Sequence, residues 1–286
     1  MSISVAIVAP GNMGAGIGRR LADNGVRVLT SLAGRSGAST KRAEAAGMQA
    51  VDDAALVGAD FILSIVPPGD AIAFAERIVP QLASAAAKPV FVDCNAVSPE
   101  TVARIAAIIA PSGAAFVDSG IIGAPPQPGT KGTVLYVSGE AASRVLALEA
   151  HGLDVRVVPG GIGAASALKM SYAGITKGLT ALGAAMMLGA TRAGVAEALY
   201  AELAASQPAL LPWFTRQIPG MYQKAYRWVA EMEEIAAFLH EDPPAAGMFR
   251  GAARIYERLA GDGSGASPET AQLSRFLDQS QVRKAS

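Results

Sequence analysis

Lys169, near the start of a long helical pattern, is either a surface lysine of that helix or a residue placed to move a proton. Ala165, Ala167, Leu168 and Met170 around it are uncharged, so local desolvation can bring a lysine amine toward neutrality. Such an amine can supply or accept the proton on oxygen that accompanies hydride transfer at a carbonyl carbon. Tyr172, one helical turn on, could share a hydrogen bond with a substrate oxygen or fill a core. Lys177, eight residues on, is expected to be structural or solvated. His151 and His240 have no His, Cys or Asp partner at ligand spacing, so no metal is expected. Cys94, beside Asn95, reads as a small buried residue rather than a nucleophile.

Phosphate chemistry is readable at the start of the chain. The apolar run Ile3–Ala9 leads into Pro10-Gly11-Asn12-Met13-Gly14-Ala15-Gly16, and a helical pattern follows. A strand–turn–helix with small residues lets backbone approach a pyrophosphate, and the helix start offers free N–H groups to it. Gly11 and Gly14 match the second and third glycines of a dinucleotide fingerprint; Ala9 stands where the first is usual. No acid occurs between Asp23 and Glu44 to hold a ribose 2′-hydroxyl. The segment there contains Arg35, Ser36, Ser39, Lys41 and Arg42, a set suited to a 2′-phosphate, so NADP is expected as cofactor.

The elements that must position these residues follow from periodicity. Strands are expected at Ile3–Ala9, Val26–Thr30, Phe61–Val66, Pro89–Asp93, Ala115–Asp118, Val134–Val137 and Val155–Val157. Helical patterns cover Met13–Asn24, Thr40–Ala46, Ala71–Ala87 and Pro99–Ile109. This alternation predicts an α/β fold, a Rossmann-type doubly wound parallel sheet. The glycine-rich stretch Pro159–Gly163 marks a boundary, giving a nucleotide-binding domain over 1–160 and an all-α domain over 161–286. In the second, Leu168, Tyr172, Ile175, Leu179, Leu182 and Met186 make one apolar stripe within a helix predicted from Ala164 to Ala205. So long a helix is expected to bury itself against its own core and a second protomer, making a homodimer. Further helices are expected at Pro212–His240, broken near Pro219-Gly220, and Ala245–Ala260, then a turn at Gly261–Ser267 and a frayed tail after Leu277.

Composition narrows the class. Of 286 residues, 51% are hydrophobic and 17% charged, which argues against extended disorder. Lys+Arg and Asp+Glu both number 24, so no nucleic-acid or anionic-membrane partner is expected. The single cysteine rules out an intrachain disulfide, and the uncharged stretch Gly178–Thr191 is short for a membrane span. With no leader-like basic start, a cytoplasmic protein with a small-molecule substrate is expected.

The order of Gly11-Asn12-Met13-Gly14, Val66-Pro67-Pro68, the segment Asp93–Pro99 and a lysine on the first long helix resembles the β-hydroxyacid dehydrogenase and 6-phosphogluconate dehydrogenase superfamily, in outline over the whole chain. Lys169–Tyr172 and Arg227–Glu234 resemble the C-terminal domain of phosphogluconate-dehydrogenase-like proteins. The resemblance implies that Val66, Pro67 and Pro68 lie along the cofactor, and that Asn95 sits near the nicotinamide ribose. It places Ile122, Gly123 and Ala124 at the substrate loop and makes Lys169 the general acid/base. It implies an NADP-dependent dehydrogenase or reductase of the 3-hydroxyacid type. An imine reductase on the same fold and a non-catalytic NADP-binding sensor are the alternatives. The sequence departs from the family at Ile122, where a substrate-binding serine is usual, and at Tyr172-Ala173, where an asparagine is expected. Glu233-Glu234 stand where a Lys-Asp pair is frequent. These departures leave hydride chemistry intact and the substrate open.

Overall fold

Short apolar runs with few polar interruptions have two faces to bury, and here both are covered. In the computed structural model, which describes residues 3–130, 132–261 and 266–282, they form one eight-stranded sheet. The strands are β1 (Ser4–Val8), β2 (Arg27–Thr30), β3 (Gln49–Ala50), β4 (Phe61–Ser64), β5 (Val90–Asp93), β6 (Ala115–Ile122), β7 (Val134–Ser138) and β8 (Asp154–Val157). Their order is β3-β2-β1-β4-β5-β6-β7-β8. Within the same region lie α1 (Asn12–Asp23), α2 (Gly37–Ala45), α3 (Asp53–Leu56), α4 (Ala71–Ser84) and α5 (Pro99–Ile109).

Side chains alternate between the faces. Val5 and Ile7 join Ile17, Leu21, Leu63 and Val92 on one side. Ala6 and Val8 join Ile62, Ile78, Phe91 and Ile105 on the other. The sheet is the expected parallel one, with a single antiparallel pair. β6 and β7 pair antiparallel, with Ile122 opposite Val134 and Asp118 opposite Ser138. The Pro- and Gly-rich connection between them carries no helix, so it returns as a hairpin rather than crossing over. The link from β7 to β8 contains the 3₁₀ stretch Ala142–His151, and those two strands run parallel. The two-residue β3 was absent from the expected strands; it is too short for periodicity to reveal.

The chain divides into two compact units, Met1–Met170 and Ser171–Ser286. Beyond the sheet it is helical: α6 (Ala164–Arg192), α7 (Ala196–Ser206), α8 (Leu210–Met221), α9 (Ala225–Phe238), α10 (Pro243–Ala260) and α11 (Pro268–Val282). The single helix expected up to Ala205 is two. Gly194, at φ +74°, takes the left-handed conformation that ends α6. The break expected at Pro219-Gly220 falls slightly later, at the 3₁₀ turn Tyr222–Lys224. Where a frayed tail was expected after Leu277, α11 continues to Val282. Thr270, Leu273, Phe276 and Leu277 bury its inner side. Residues 262–265, in the expected turn, and residues 283–286 of the expected tail lie outside the described residues.

The apolar stripe of α6 lies largely outside the core of its own chain. Tyr172, Ile175, Leu182 and Met186 are 49%, 72%, 57% and 58% exposed. The buried side is Ala173, Ala181, Ala184, Met187 and Leu188. Added Cβ atoms at Gly174 and Gly178 would press on Phe249, and one at Gly183 would overlap the Phe214 ring. Rings from α10 and α8 therefore seat directly on helix backbone, which only the small-residue face permits. By length and composition α6 could also cross a membrane, at a mean hydropathy of 1.2, although 44% of that apolar window is buried inside the protein.

Candidate functional site

The glycine-rich turn joins β1 to α1. Gly11 caps α1 with no side-chain hydrogen bond, whereas Ser36, Asp52 and Ser98 cap α2, α3 and α5 with their side chains. The first N–H groups of α1, at Asn12, Met13 and Gly14, thus have no side-chain acceptor among the described residues, at the positive end of a helix dipole. A Cβ at Gly11 would meet nothing within 4 Å, while one at Gly14 would sit 2.1 Å from the Ala9 carbonyl oxygen. Gly14 therefore lets helix and strand touch, and Gly11 leaves a cradle open on its outer side. Those are the two demands of a pyrophosphate site, so these residues fit a dinucleotide. Asn12 is exposed and Met13 half-buried against the core.

The loop after β2 lies beside this turn. Arg42 donates to the Pro10 carbonyl at 3.3 Å and to Ser39 Oγ at 2.9 Å, tying the two loops together. Ser36 Oγ accepts from the Ser39 N–H at 3.3 Å and meets Ser39 Oγ at 3.2 Å. The Arg35 guanidinium makes no hydrogen bond or ion pair among the described residues. Thr30 is buried and donates to the Ile7 carbonyl, so no carboxylate stands at the end of β2.

Asn95 faces inward. Its Oδ1 accepts from the Val66 N–H at 2.8 Å, and its Nδ2 donates to Ser64 Oγ at 2.9 Å and to Asp93. At 3% exposure its amide is spent on the protein itself, holding Val66-Pro67-Pro68 in place. The Ile65 carbonyl accepts from Ala9 N–H at 3.2 Å, so this segment runs beside the glycine-rich turn. Asp93 is fully buried, and its Oδ2 has no partner among the described residues. Burial, with help from neighbouring Asp118, pushes its carboxyl from 3.8 up to about 7 against hydrogen bonds from Asn95. Cys94 is buried, and burial raises its thiol, which suits an inert residue.

Lys169 is half-buried. A Cβ at Gly120 would lie 2.9 Å from Lys169 Cβ and 2.8 Å from the Ala165 carbonyl oxygen, so the start of α6 rests on β6 at that point. Gly120 lies on the part of β6 that extends past Asp93, the end of β5. Lys169 is therefore carried at the carboxyl edge of the sheet, the edge from which the glycine-rich turn also springs.

Ile122 is half-buried at the end of β6. Gly123, at φ +120°, has no room for a side chain: its Cβ would fall 2.1 Å from the Gly132 carbonyl oxygen. Ala124, exposed, accepts from Thr133 Oγ1. The loop beyond is fastened by Arg20, which donates to the carbonyls of Gln127 (2.9 Å) and Thr130 (2.8 Å). Pro126 packs on Gly16 of α1. Tyr172 is exposed, so the core alternative for it does not hold.

Sequence reading missed Arg20, Asp93, Asp118, Gly120, Ser138 and Ser166. A lone acid ending an apolar strand, as in Phe91-Val92-Asp93 and Phe116-Val117-Asp118, was the available signal. In the helical unit, Lys177 pairs with Glu231 and lies 4.9 Å from the Trp228 ring centre. It is structural.

Residues 190–259 match a domain of unknown function, DUF1932. An uncharacterized 28.5 kDa protein of Methanothermus fervidus is 31% identical over 159 residues; the match takes in 55% of this chain and 59% of that protein. Among solved structures, the conserved protein MTH1747, described as similar to 3-hydroxyacid dehydrogenases, has a TM-score of 0.69 at 28% identity, covering 93% of this chain and 100% of that one. A Mycobacterium tuberculosis 3-hydroxyisobutyrate dehydrogenase with L-serine (TM-score 0.67, 20% identity, 96% and 99% covered) shares the fold. So does a Myxococcus stipitatus imine reductase in complex with NADP+ (0.54, 19%, 96% and 99%). Residues 4–150 match the NAD binding domain of 6-phosphogluconate dehydrogenase, half of the chain, and the protein belongs to that family.

Proposed function

We propose that this protein is an NADP-dependent oxidoreductase that moves a hydride between nicotinamide and a small hydroxy acid or its carbonyl counterpart, with Lys169 as general acid/base. The observation that carries the reading is the placement of Lys169 and the uncapped, glycine-lined start of α1 at one edge of one sheet. NADP, when bound, supplies the hydride. The N–H groups of Asn12, Met13 and Gly14 hold the pyrophosphate, with Gly11 giving it room. Arg35 and Ser36 take the 2′-phosphate, and Arg42 keeps their loop against Pro10. Asn95 acts through Val66, fixing Val66, Pro67 and Pro68 along the cofactor's path. Ile122, Gly123 and Ala124 border the substrate, and Tyr172 is a further substrate contact.

In reduction, the Lys169 ammonium gives a proton to the carbonyl oxygen as its carbon gains the hydride; in oxidation, the neutral amine takes the hydroxyl proton. With Ile122 in place of a hydroxyl donor, the substrate carboxylate is held by backbone N–H groups around Gly123. The working form is a homodimer joined through the exposed stripe of α6.

NADPH oxidation with short aldehyde acids, in wild type and Lys169→Ala, is the test. Turnover is expected in wild type, falling at least 100-fold in the variant with NADPH binding unchanged. Imine-only turnover that survives the substitution would indicate an imine reductase. NADPH binding without turnover of any carbonyl or imine would indicate a sensor.

A further inference from the structure

The first turns of α6 do not rest on β6 by apolar contact alone. Asp118 and Gly120 are two residues apart on β6 and so share a face of the sheet. The Asp118 carboxylate, fully buried, accepts from Gly163 N–H (2.9 Å), Ser166 N–H (3.0 Å), Ser166 Oγ (2.6 Å) and Ser138 Oγ (3.0 Å). Ser138, opposite Asp118 on β7, in turn accepts from Ala165 N–H at 3.0 Å. A strand carboxylate thus does the work of an N-cap for a helix that begins far away in sequence. One turn on, Gly120 meets the same helix with no side chain at all, opposite the Ala165 carbonyl and Lys169 Cβ.

We propose that Asp118 and Gly120 are positioning residues for Lys169: the carboxylate fixes the height of α6 along β6, and the missing Cβ fixes how closely Lys169 approaches the strand. This rests on the reading of Lys169 as the proton-transfer group. The carboxyl group sets register because it is filled by the Gly163 and Ser166 N–H groups, three residues apart at one helix start, together with two serine hydroxyls, and a slip of one residue would leave a buried polar group unsatisfied. The glycine sets depth because any side chain at 120 would displace Ala165 and Lys169 together.

The test uses two mild variants, Gly120→Ala and Ser166→Ala, the second removing only the hydroxyl bond to Asp118. Acylation of Lys169 by limiting acetic anhydride, measured by mass spectrometry against exposed Lys41, reports the placement of the amine without any substrate. Turnover of glyoxylate by NADPH reports the chemistry. The Lys169/Lys41 labelling ratio is expected to rise at least threefold in Gly120→Ala and about twofold in Ser166→Ala. Glyoxylate kcat should fall 10- to 100-fold and threefold respectively, with KM for NADPH unchanged. Unchanged labelling in Ser166→Ala, or equal losses of melting temperature, NADPH binding and kcat in both variants, overturns the positioning role. Full glyoxylate turnover by Lys169→Ala overturns the underlying reading instead, whatever the labelling shows.

Discussion

Arg35 and Asp93 make opposite use of charge. Arg35 is a cation whose guanidinium has no partner among the described residues, beside a loop whose serines are already ordered. Charge-assisted bonds to a 2′-phosphate contribute about 1.5–3 kcal/mol. Arg35→Glu should therefore weaken NADPH binding by roughly 10- to 100-fold and leave NADH binding within a few-fold. Fluorescence titration with both nucleotides checks this, and an NADPH loss below threefold would remove Arg35 from the phosphate site. Asp93 is a carboxyl held neutral by burial. Its folded value near 7 exceeds its ordinary 3.8, so the folded state holds a proton that the unfolded state gives up. Stability then falls as pH rises from about 4 to about 7 and is flat above that. Each unit of difference corresponds to about 1.4 kcal/mol, which makes the full effect on the order of a few kcal/mol. Asp93→Asn should abolish this decline in urea unfolding between pH 4.5 and 7.5, because an amide has no proton to lose. An unchanged slope would place the titration elsewhere.

At the scale of elements, the legible parts of the sequence were those whose signal is local. The β1 run, the glycine turn and Pro99–Ile109 came out within a residue or two of their observed bounds, since apolar period and first-turn proline are read from neighbours in sequence. What distant partners decide was not legible. Ser119–Ile122 extends β6 beyond its expected end because β7 pairs with it. The working face of α6 is fixed by Phe214 and Phe249, rings remote in sequence that select the glycine side. At the site, Lys169 and the glycine turn could be named from sequence, but the support for Lys169 from Asp118 and Gly120 could not, because it crosses from strand to helix. The same holds for Lys177. Its amine meets Glu231 from α9 and lies over Trp228, whose ring meets Tyr256 edge-on at 5.2 Å. Tyr256 donates to the Lys177 carbonyl at 2.6 Å, joining α10 to the same point. Both charged side chains are 15% exposed, so removing one leaves its partner largely dry. Lys177→Ala should cost the protein about 2–4 kcal/mol in chemical denaturation. The double variant Lys177→Met/Glu231→Leu should recover most of that, and a single variant costing under ~1 kcal/mol would mean the pair is effectively solvated.

At the scale of the whole molecule, the exposed side of α6 raises the question of what covers it. Tyr172, Ile175, Leu182 and Met186 recur along one line of the helix, and from Tyr172 to Met186 that line is about 21 Å long at 1.5 Å per residue. Scattered apolar residues on a surface need no partner, but a continuous row of large ones does. Lipid and a second copy of the chain are the two coverings the residue types allow. A second copy is the better fit, because the opposite side of the same helix is already packed against α8 and α10 through glycines, leaving a single stripe rather than an apolar girdle. A stripe that covers its own twin makes a two-fold contact, in which each side chain meets the same segment of the partner. Light scattering without detergent should then give twice the chain mass at micromolar concentration. Ile175→Glu combined with Leu182→Glu, which places carboxylates where the two-fold contact would bury them, should halve that mass while leaving the helical circular dichroism unchanged. Wild type that runs as a monomer excludes the dimer, and wild type that stays in solution only with detergent assigns the stripe to lipid.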